Sequence, residues 1–237
     1  MTRRSIVVGG SKGIGRTLAR SWVAAGHDVI ILSRSEPEGV DGLRHLPVDL
    51  EDSAAVDATA SALAAEGFDD LVFVQRYRGD DPWGGELAIT LDATRLVTER
   101  LVDAQPPGRP GSIVFVTSLA ASLVVPDQAA GYHAAKAGMD ALMRYYAHRY
   151  GPKQVRVNAV APGLVLKEEA EAYFAANPGV LRDRTSATPL GRMPTAGEIA
   201  GLVAFLCSEA AAIVTGHVLV ADGGLSLTFQ AALRPPA

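Results

Sequence analysis

The sequence predicts an α/β fold built on a doubly wound parallel sheet. Short apolar runs rich in Val and Ile alternate with longer Ala- and Leu-rich stretches along the 237 residues, a pattern typical of parallel strands buried on both faces and connected by helices. A glycine-rich loop follows the first apolar run. No linker or repeat divides the chain, apart from a Pro-containing tail at 233–237. We therefore expect residues 1–237 to form a single domain.

Seven runs are predicted strands and five stretches are predicted helices. The strands are expected at residues 5–9, 28–32, 45–50, 71–74, 112–118, 155–160 and 216–221. The helices are expected at residues 13–25, 52–66, 86–104, 131–150 and 195–208. The last helix opens with Thr195 and Glu198 at the spacing of a capping box. Such sheets bind ligands beyond the carboxyl ends of their strands, so the residues that follow each strand are the candidate site.

Composition excludes several classes of protein. The chain is 48% hydrophobic and 20% charged with 24 glycines, which is typical of a compact globular protein. A net charge of −4 gives no basic surface for nucleic acid, so no nucleic-acid partner is expected. The apolar run at the N-terminus is too short for a signal peptide, and no segment approaches a membrane span. With a single cysteine, Cys207, the chain is expected to be a soluble cytoplasmic protein without a membrane partner; no metal site is predicted.

The loop after the first strand has the composition of a phosphate-binding turn. Gly9, Gly13 and Gly15 allow the backbone to turn tightly and to approach a pyrophosphate, which the N–H groups and dipole at the helix start stabilise. Ser11 and Ile14 lie in the same loop. Its position between a strand and a helix favours a dinucleotide site over a purely structural turn.

The residues after the second strand predict which dinucleotide binds. An NAD-binding protein would carry an acid here for the ribose 2′-hydroxyl, whereas this chain has Ser33 and Arg34. An arginine can grip a 2′-phosphate, and Lys12 adds a second positive charge. Solvated surface charges are the alternative, and Glu36 is a rival acid further along the chain. The pattern favours NADP(H) over NAD(H).

A tyrosine and a lysine four residues apart form a candidate catalytic pair. Residues at i and i+4 share a helix face, so the phenol of Tyr132 and the ammonium of Lys136 can reach one pocket. The same spacing also occurs on ordinary buried helices. The pair by itself does not decide between these interpretations.

Six motifs occur in the order and at the separations of one known family. They are GGSKGIG at 9–15, VDL at 48–50, VTS at 116–118, YHAAK at 132–136, VNAVAPG at 157–163 and GHVLVADGG at 216–224. On these motifs the chain resembles the short-chain dehydrogenase/reductase family, particularly members like 3-oxoacyl-acyl-carrier-protein reductase, over nearly all of residues 4–228. The resemblance implies a Rossmann-type sheet of seven parallel strands with helices on both faces.

The resemblance also assigns three catalytic residues. Tyr132 matches the tyrosine that donates a proton to the substrate carbonyl as hydride arrives. A free phenol has a pKa near ~10, so a neighbouring cation is needed to favour phenolate. Lys136 matches the lysine that fills this role and holds the nicotinamide ribose. Ser118 matches the serine that hydrogen-bonds the substrate oxygen.

Further cofactor contacts follow from the same resemblance. Asp49 matches the residue that contacts the adenine, and Pro162 and Gly163 match the wall beside the nicotinamide. The remaining expected cofactor-binding residues are Leu50, Gln75 and Val165.

Three departures from the family pattern stand out. Residues 73–76 read Phe, Val, Gln and Arg where the family usually has Asn-Asn-Ala-Gly, which removes side chains that tie the central sheet together. Thr90 stands where the family has an asparagine that anchors a proton-relay water. Lys167 replaces a threonine that often meets the nicotinamide carboxamide. These changes affect the proton relay and the cofactor contacts but leave Ser118, Tyr132 and Lys136 in place.

Three cations near the crevice suggest an anion site. Arg76, Arg78 and Lys167 are suited to a carboxylate or a carrier phosphate. The alternative is a set of surface charges balanced by four nearby acids: Asp80, Asp81, Glu168 and Glu169.

The sequence thus favours an NADPH-dependent reductase acting on a ketone or 3-oxoacyl carbonyl, or catalysing the reverse oxidation. The competing hypothesis is a non-catalytic NADP-binding sensor or structural protein of the same fold, which Gln75, Arg76 and Thr90 support. Family members pair through helices that here span about 86–104 and 131–150 and through the last strand. We therefore expect a homo-oligomer, a dimer or more probably a tetramer. The apolar stripe that would serve such an interface is equally typical of a core-facing helix; its members are Met139, Leu142, Met143, Tyr146 and Tyr150.

Overall fold

The protein folds around one sheet of seven parallel strands, which confirms the predicted fold class. A computed structural model describes residues 2–228, so the tail at 233–237 lies outside the described residues. The strand order is β3-β2-β1-β4-β5-β6-β7. The strands are β1 Arg4–Val8, β2 Asp28–Ser33, β3 Arg44–Pro47, β4 Asp70–Phe73, β5 Gly111–Val116, β6 Val155–Pro162 and β7 Val218–Ala221. The order reverses between β1 and β4, the place where such sheets bind ligands.

Eight α-helices connect or flank the strands in the described part of the chain. They are α1 Gly13–Ala24, α2 Ser53–Ala64, α3 Gly84–Leu87, α4 Ala93–Ala104, α5 Ala130–Tyr150, α6 Glu168–Ala176, α7 Pro178–Ser186 and α8 Ala196–Cys207. The capping box at Thr195 and Glu198 is formed, with each side chain accepting a hydrogen bond from the other residue's N–H group. The predicted helix at 86–104 is interrupted by a π-helical turn, Ala88–Asp92.

Two predictions about element boundaries were inexact for identifiable reasons. The apolar run at 45–50 continues past β3, because Val48 and Leu50 are buried in the core without being paired in the sheet. Helices α6 and α7 lie in a segment that apolar periodicity did not resolve. Both are short, and none of the residues of α6 is buried, so they carry no strong apolar stripe.

Both faces of the sheet are covered by helices. Successive residues of a strand point to opposite faces, so Ile6 and Val8 enter one core while Val7 enters the other. The first core also contains residues of α2, α4 and α5. The second contains residues of α1 and α8. Burial on both faces explains the near-continuous apolar runs of the sequence.

The stripe on α5 packs inside the chain. Met139, Met143, Tyr146 and Tyr150 are at most 1% exposed and belong to the first core. Leu142 is partly buried against the same core. Of the two interpretations of this stripe, the core-facing one is therefore correct. No helix within residues 2–228 combines the length and apolarity needed to cross a bilayer.

Candidate active site

The glycine-rich loop joins the carboxyl end of β1 to α1. Gly9 and Gly13 have φ angles of +84° and +53°, which favour glycine. A β-carbon on Gly9 would lie 2.5 Å from Cα of Gln75, the second residue after β4. The loop is therefore packed directly against the end of the neighbouring strand. Ser11 is partly exposed, whereas Ile14 and Gly15 are buried beneath it.

An anionic oxygen already contacts this loop. The N–H group of Gly13 donates to Oε1 of Glu169, at 3.2 Å, and Arg16 pairs with Glu168 at 2.6 Å and with Glu169 at 3.2 Å. Burial raises the pKa of Glu169, but hydrogen bonds from its own N–H group and that of Gly13 outweigh this and lower it. The N–H group of Gly13 thus binds an anionic oxygen, which is the kind of ligand expected at a glycine-rich loop before a helix.

The residues expected at the adenosine end follow β2 and β3. Ser33 is buried, and its hydroxyl donates to the carbonyl oxygen of Ser35 at 2.8 Å. Arg34 and Lys12 are exposed, and neither forms an ion pair with a residue of the described chain. Asp49 is also exposed, while Leu50 is 8% exposed and packs in the core. Because neither cation is paired, both are available to bind a ligand at this end of the sheet.

Ser118 and Tyr132 come from neighbouring elements at the carboxyl end of β5. Oγ of Ser118 accepts a hydrogen bond from the N–H group of Ala120, at 3.1 Å, in a short 3₁₀ turn, Leu119–Ala121. Helix α5 packs against this turn and carries Tyr132 in its first turn. Both side chains are partly exposed. No hydrogen bond joins the two hydroxyls in the described structure.

The residues expected beside the nicotinamide lie at the end of β6 and directly after it. Pro162 is the last residue of that strand, and Gly163 comes next. A β-carbon on Gly163 would lie 3.0 Å from Cβ of Asp222, so the chain passes close to the segment after β7. Val165 is partly buried against the core that α1 and α8 share.

Lys136 is a buried cation beside the phenol of Tyr132. It is 3% exposed, and Nζ lies 5.7 Å from the centroid of the Tyr132 ring. Nζ donates to the carbonyl oxygen of Val116 at 2.9 Å and contacts Sδ of Met139 at 3.6 Å. Burial lowers the pKa of Lys136 to about 8, and the nearby carboxylate of Glu86 opposes that shift. The lysine therefore titrates close to physiological pH.

Arg76 places a second cation on Tyr132. Its guanidinium carbon lies 5.0 Å from the ring centroid, a cation–π distance, and Nη2 donates to the amide oxygen of Gln128 at 2.5 Å. Burial, followed by Arg78 and Arg76, lowers the pKa of Lys167. The three cations are thus close enough to repel one another.

Three of the four acids proposed as counter-charges have other partners, although Glu169 also favours the charged form of Lys167. Glu168 and Glu169 pair with Arg16, and Asp81 accepts hydrogen bonds from the N–H groups of Trp83 and Gly84. Among residues 2–228, none of these acids forms an ion pair with Arg76, Arg78 or Lys167. The interpretation as balanced surface charges is therefore not supported by ion pairs.

The residues that depart from the family pattern after β4 form a buried polar network. Gln75 is 4% exposed, and its Nε2 donates to the carbonyl oxygen of Ile89 at 3.2 Å and to Oγ1 of Thr94 at 2.7 Å. Thr90 is fully buried and donates to Oε2 of Glu86 at 3.1 Å. Sequence reasoning did not single out Glu86. The available signal was a carboxylate four residues before Thr90, a spacing that places the two side chains on one helix face.

The chain is similar in sequence to proteins from several organisms. A family model described as Enoyl-(Acyl carrier protein) reductase matches residues 79–226. Protein FixR of Bradyrhizobium diazoefficiens is 32% identical over 253 residues, covering 94% of this chain and 86% of FixR. The 3-oxoacyl-[acyl-carrier-protein] reductase MabA of Mycobacterium tuberculosis is 28% identical over 240 residues, covering 96% of this chain and 94% of MabA.

Solved structures share the fold. A short chain dehydrogenase family protein from Francisella tularensis superposes with a TM-score of 0.85 at 22% identity, covering 96% of this chain and 100% of its own. ElxO with NADP bound superposes with a TM-score of 0.83 at 20% identity, again covering 96% of this chain and 100% of its own.

Proposed function

The chain belongs to the short-chain dehydrogenase/reductase family, and we propose that it is an NADPH-dependent reductase of a ketone or 3-oxoacyl carbonyl. The reverse oxidation uses the same residues. Reductases such as MabA are among its relatives. The observation that carries the proposal is the buried ammonium of Lys136 next to the ring of Tyr132, at the carboxyl edge of a sheet that also carries a phosphate-binding loop.

The mechanism divides the work among three side chains. Tyr132 donates its phenolic proton to the substrate oxygen, and the positive charges of Lys136 and Arg76 stabilise the phenolate that remains. Ser118 donates a hydrogen bond to the same substrate oxygen. When bound, NADPH supplies the hydride.

Residues of the cofactor site bind and orient the dinucleotide. The loop at Gly9, Gly13 and Gly15 would hold the pyrophosphate. The N–H group of Gly13, which donates to Glu169 in this structure, would be its donor, whereas the N–H group of Gly9 already donates to the carbonyl oxygen of Leu32 at 2.8 Å. The stem of Lys167 packs over Gly13, where a β-carbon would lie 3.4 Å from Cδ, so this lysine would lie near the same part of the cofactor. Asp49 and Leu50 would border the adenine, and Gln75, Pro162, Gly163 and Val165 would border the nicotinamide half.

Steady-state turnover tests the proposal. We expect oxidation of NADPH, followed at 340 nm, when the protein is mixed with a panel of ketones and 3-oxoacyl thioesters. Absence of turnover across the panel, with NADPH binding intact in calorimetry, would favour the non-catalytic sensor or structural protein. That alternative is favoured by the altered network at Gln75 and Thr90.

Cofactor choice is expected to depend on Arg34. Its exposed guanidinium and the ammonium of Lys12 are available for the 2′-phosphate of NADPH. Replacing Arg34 by Asp removes one attraction and adds a repulsion, so we expect the Kd for NADPH to rise at least about tenfold and the Kd for NADH to change little. Calorimetric titration of both cofactors measures the difference.

A charge reversal elsewhere controls for general electrostatics. Arg95 on α4 is exposed and pairs with Glu99 at 3.4 Å. Arg95→Asp should leave the preference between the two cofactors unchanged. Equal affinity of the unmodified protein for NADPH and NADH would contradict the assignment of Lys12 and Arg34.

The charge at the mouth of the crevice favours an anionic substrate. Arg76 lies on the ring of Tyr132, and within residues 2–228 its guanidinium donates a hydrogen bond to the neutral amide of Gln128 and forms no ion pair. A carboxylate close to the reacting carbonyl would bind this guanidinium. The turnover panel should therefore contain oxo acids together with their methyl esters, and the acids should have the lower KM.

Assembly as a homo-oligomer, with a tetramer expected rather than a dimer, stays a prediction. The stripe on α5 is internal, so the remaining support comes from β7 at the edge of the sheet, where Val220 is 49% exposed. We expect light scattering at micromolar concentration to report a multiple of the 24.8 kDa chain mass. A single species of that mass would contradict the prediction. We also infer a single domain over residues 1–237 and a cytoplasmic location.

A further inference from the structure

A chain of buried hydrogen bonds runs beneath the candidate site. Gln75 donates to the hydroxyl of Thr94, which donates to the carbonyl oxygen of Thr90, at 2.7 Å in both cases. The hydroxyl of Thr90 in turn donates to Glu86. All four side chains are at most 5% exposed. The amide oxygen of Gln75 has no hydrogen-bond partner within the described chain.

Glu86 needs an explanation beyond this network. Burial removes the water that hydrates a carboxylate, and one neutral hydrogen bond does not offset that loss. Within residues 2–228, the side chain of Glu86 accepts one hydrogen bond, from the hydroxyl of Thr90. A buried carboxylate that keeps its charge requires a cation nearby.

Tight packing brings Glu86 to the helix that carries Lys136. A β-carbon on Gly131, the second residue of α5, would overlap the carbonyl oxygen of Pro82 and would lie 2.8 Å from Cα of Trp83. A β-carbon on Gly138 would lie 2.9 Å from the side chain of Leu91. The segment from Pro82 to Leu91 is therefore pressed against the first three turns of α5. Glu86 lies in the middle of that segment.

Four charged groups from different elements act on Lys136. Glu86 on α3 and Asp140 on α5 favour its charged form, whereas Arg76 after β4 and Lys167 after β6 disfavour it. Glu86 is the largest of these four influences on the pKa of Lys136. Asp140 is a weaker partner, and burial raises its own pKa.

We propose that Glu86 is a positioning residue that keeps the Lys136 ammonium charged, with Thr90 holding the carboxylate in place. In the resembled family the position of Thr90 carries a neutral asparagine, so this chain supplies a negative charge one turn earlier. The inference rests on the proposed function for its catalytic consequence. Lys136 Nζ donates to Val116 rather than to Glu86, so Glu86 acts on the ammonium through space, and this interaction needs no substrate.

Direct titration of Lys136 tests the pairing. The chain has only four lysines, so NMR of protein labelled at lysine Cε resolves them, and loss of one signal in Lys136→Arg assigns it. In cofactor-free protein we expect Glu86→Gln to move the Lys136 midpoint to lower pH by on the order of one pH unit. The alkaline limb of kcat/KM should move in the same direction.

Matched variants separate this effect from a structural one. Asp92 is an exposed carboxylate on the same helical segment and is not among the main charges that act on Lys136, so Asp92→Asn should leave the midpoint unchanged. Glu86→Asp keeps the charge and should restore most of the wild-type midpoint. A folded Glu86→Gln protein with an unshifted Lys136 midpoint would overturn the proposal.

A second variant covers the case in which Glu86→Gln does not fold. Thr90→Val keeps the shape of the side chain and removes the hydroxyl that holds the Glu86 carboxylate, so it should move the Lys136 midpoint in the same direction by a smaller amount. A folded Thr90→Val protein with an unshifted Lys136 midpoint would overturn the proposal equally. Both titrations use cofactor-free protein and need no turnover. A negative result with the substrate panel would therefore contradict the reductase function and leave the effect of Glu86 on Lys136 untouched.

Discussion

Tyr132→Phe is expected to lower kcat by about 100-fold or more, since the substitution removes the proton donor while keeping the ring. The side chain is partly exposed at the start of α5, so loss of its hydroxyl leaves no buried polar group without a partner. Contacts of the ring with Arg76 and Lys136 are retained. Cofactor affinity should therefore stay near the wild-type value, and stopped-flow turnover together with calorimetry measures both quantities.

A second tyrosine of the same helix provides the control. Tyr145 is 52% exposed, and its hydroxyl accepts a hydrogen bond from Arg149 at 3.1 Å. Tyr145→Phe should leave turnover unchanged. A Tyr132→Phe protein that retains most of its kcat would remove Tyr132 from the proton-donor role.

Loss of the Lys136 charge is the second large effect. Lys136→Met replaces the buried ammonium by an apolar group of similar length. We expect kcat to fall by about 100-fold or more, because the phenolate of Tyr132 then loses the positive charge of the lysine on its own helix. Removing the cation leaves the buried carboxylate of Glu86 uncompensated and the carbonyl oxygen of Val116 without its donor, so the folded state should be less stable. Thermal unfolding should therefore show a lower Tm.

The pH dependence of the unmodified enzyme checks the same role. Burial lowers the pKa of Lys136 to about 8, so the ammonium predominates below that pH and is lost above it. We expect kcat/KM, which reports the free enzyme, to fall as pH rises through about 8. Lys153, which contacts Asp103 at 3.3 Å, provides a control. Lys153→Met should leave the decrease in kcat/KM above pH 8 unchanged. A flat profile across pH 8 would show that this titration does not control the reaction.

The fold was predictable because its signals are local. Continuous apolar runs arise when both faces of a strand are buried, and each of the seven predicted runs contains or overlaps a strand. Helices α1, α2, α5 and α8 begin and end within a few residues of their predicted limits, because helix signals are also local in the sequence. The π turn inside the predicted helix at 86–104 was not visible, because Leu91 is fitted there against Gly138, a residue from a distant part of the chain.

The amino-acid sequence by itself determined the fold class, the glycine-rich loop between β1 and α1 and the Tyr132–Lys136 pair, since each depends on residues close together in the chain. Only the tertiary structure decided which charges surround that pair. Arg76, Glu86 and Lys167 reach the site from three separate elements, and their influence depends on burial and distance. The stripe on α5 shows the same limit, because periodicity marks an apolar face without saying whether the core or a partner covers it.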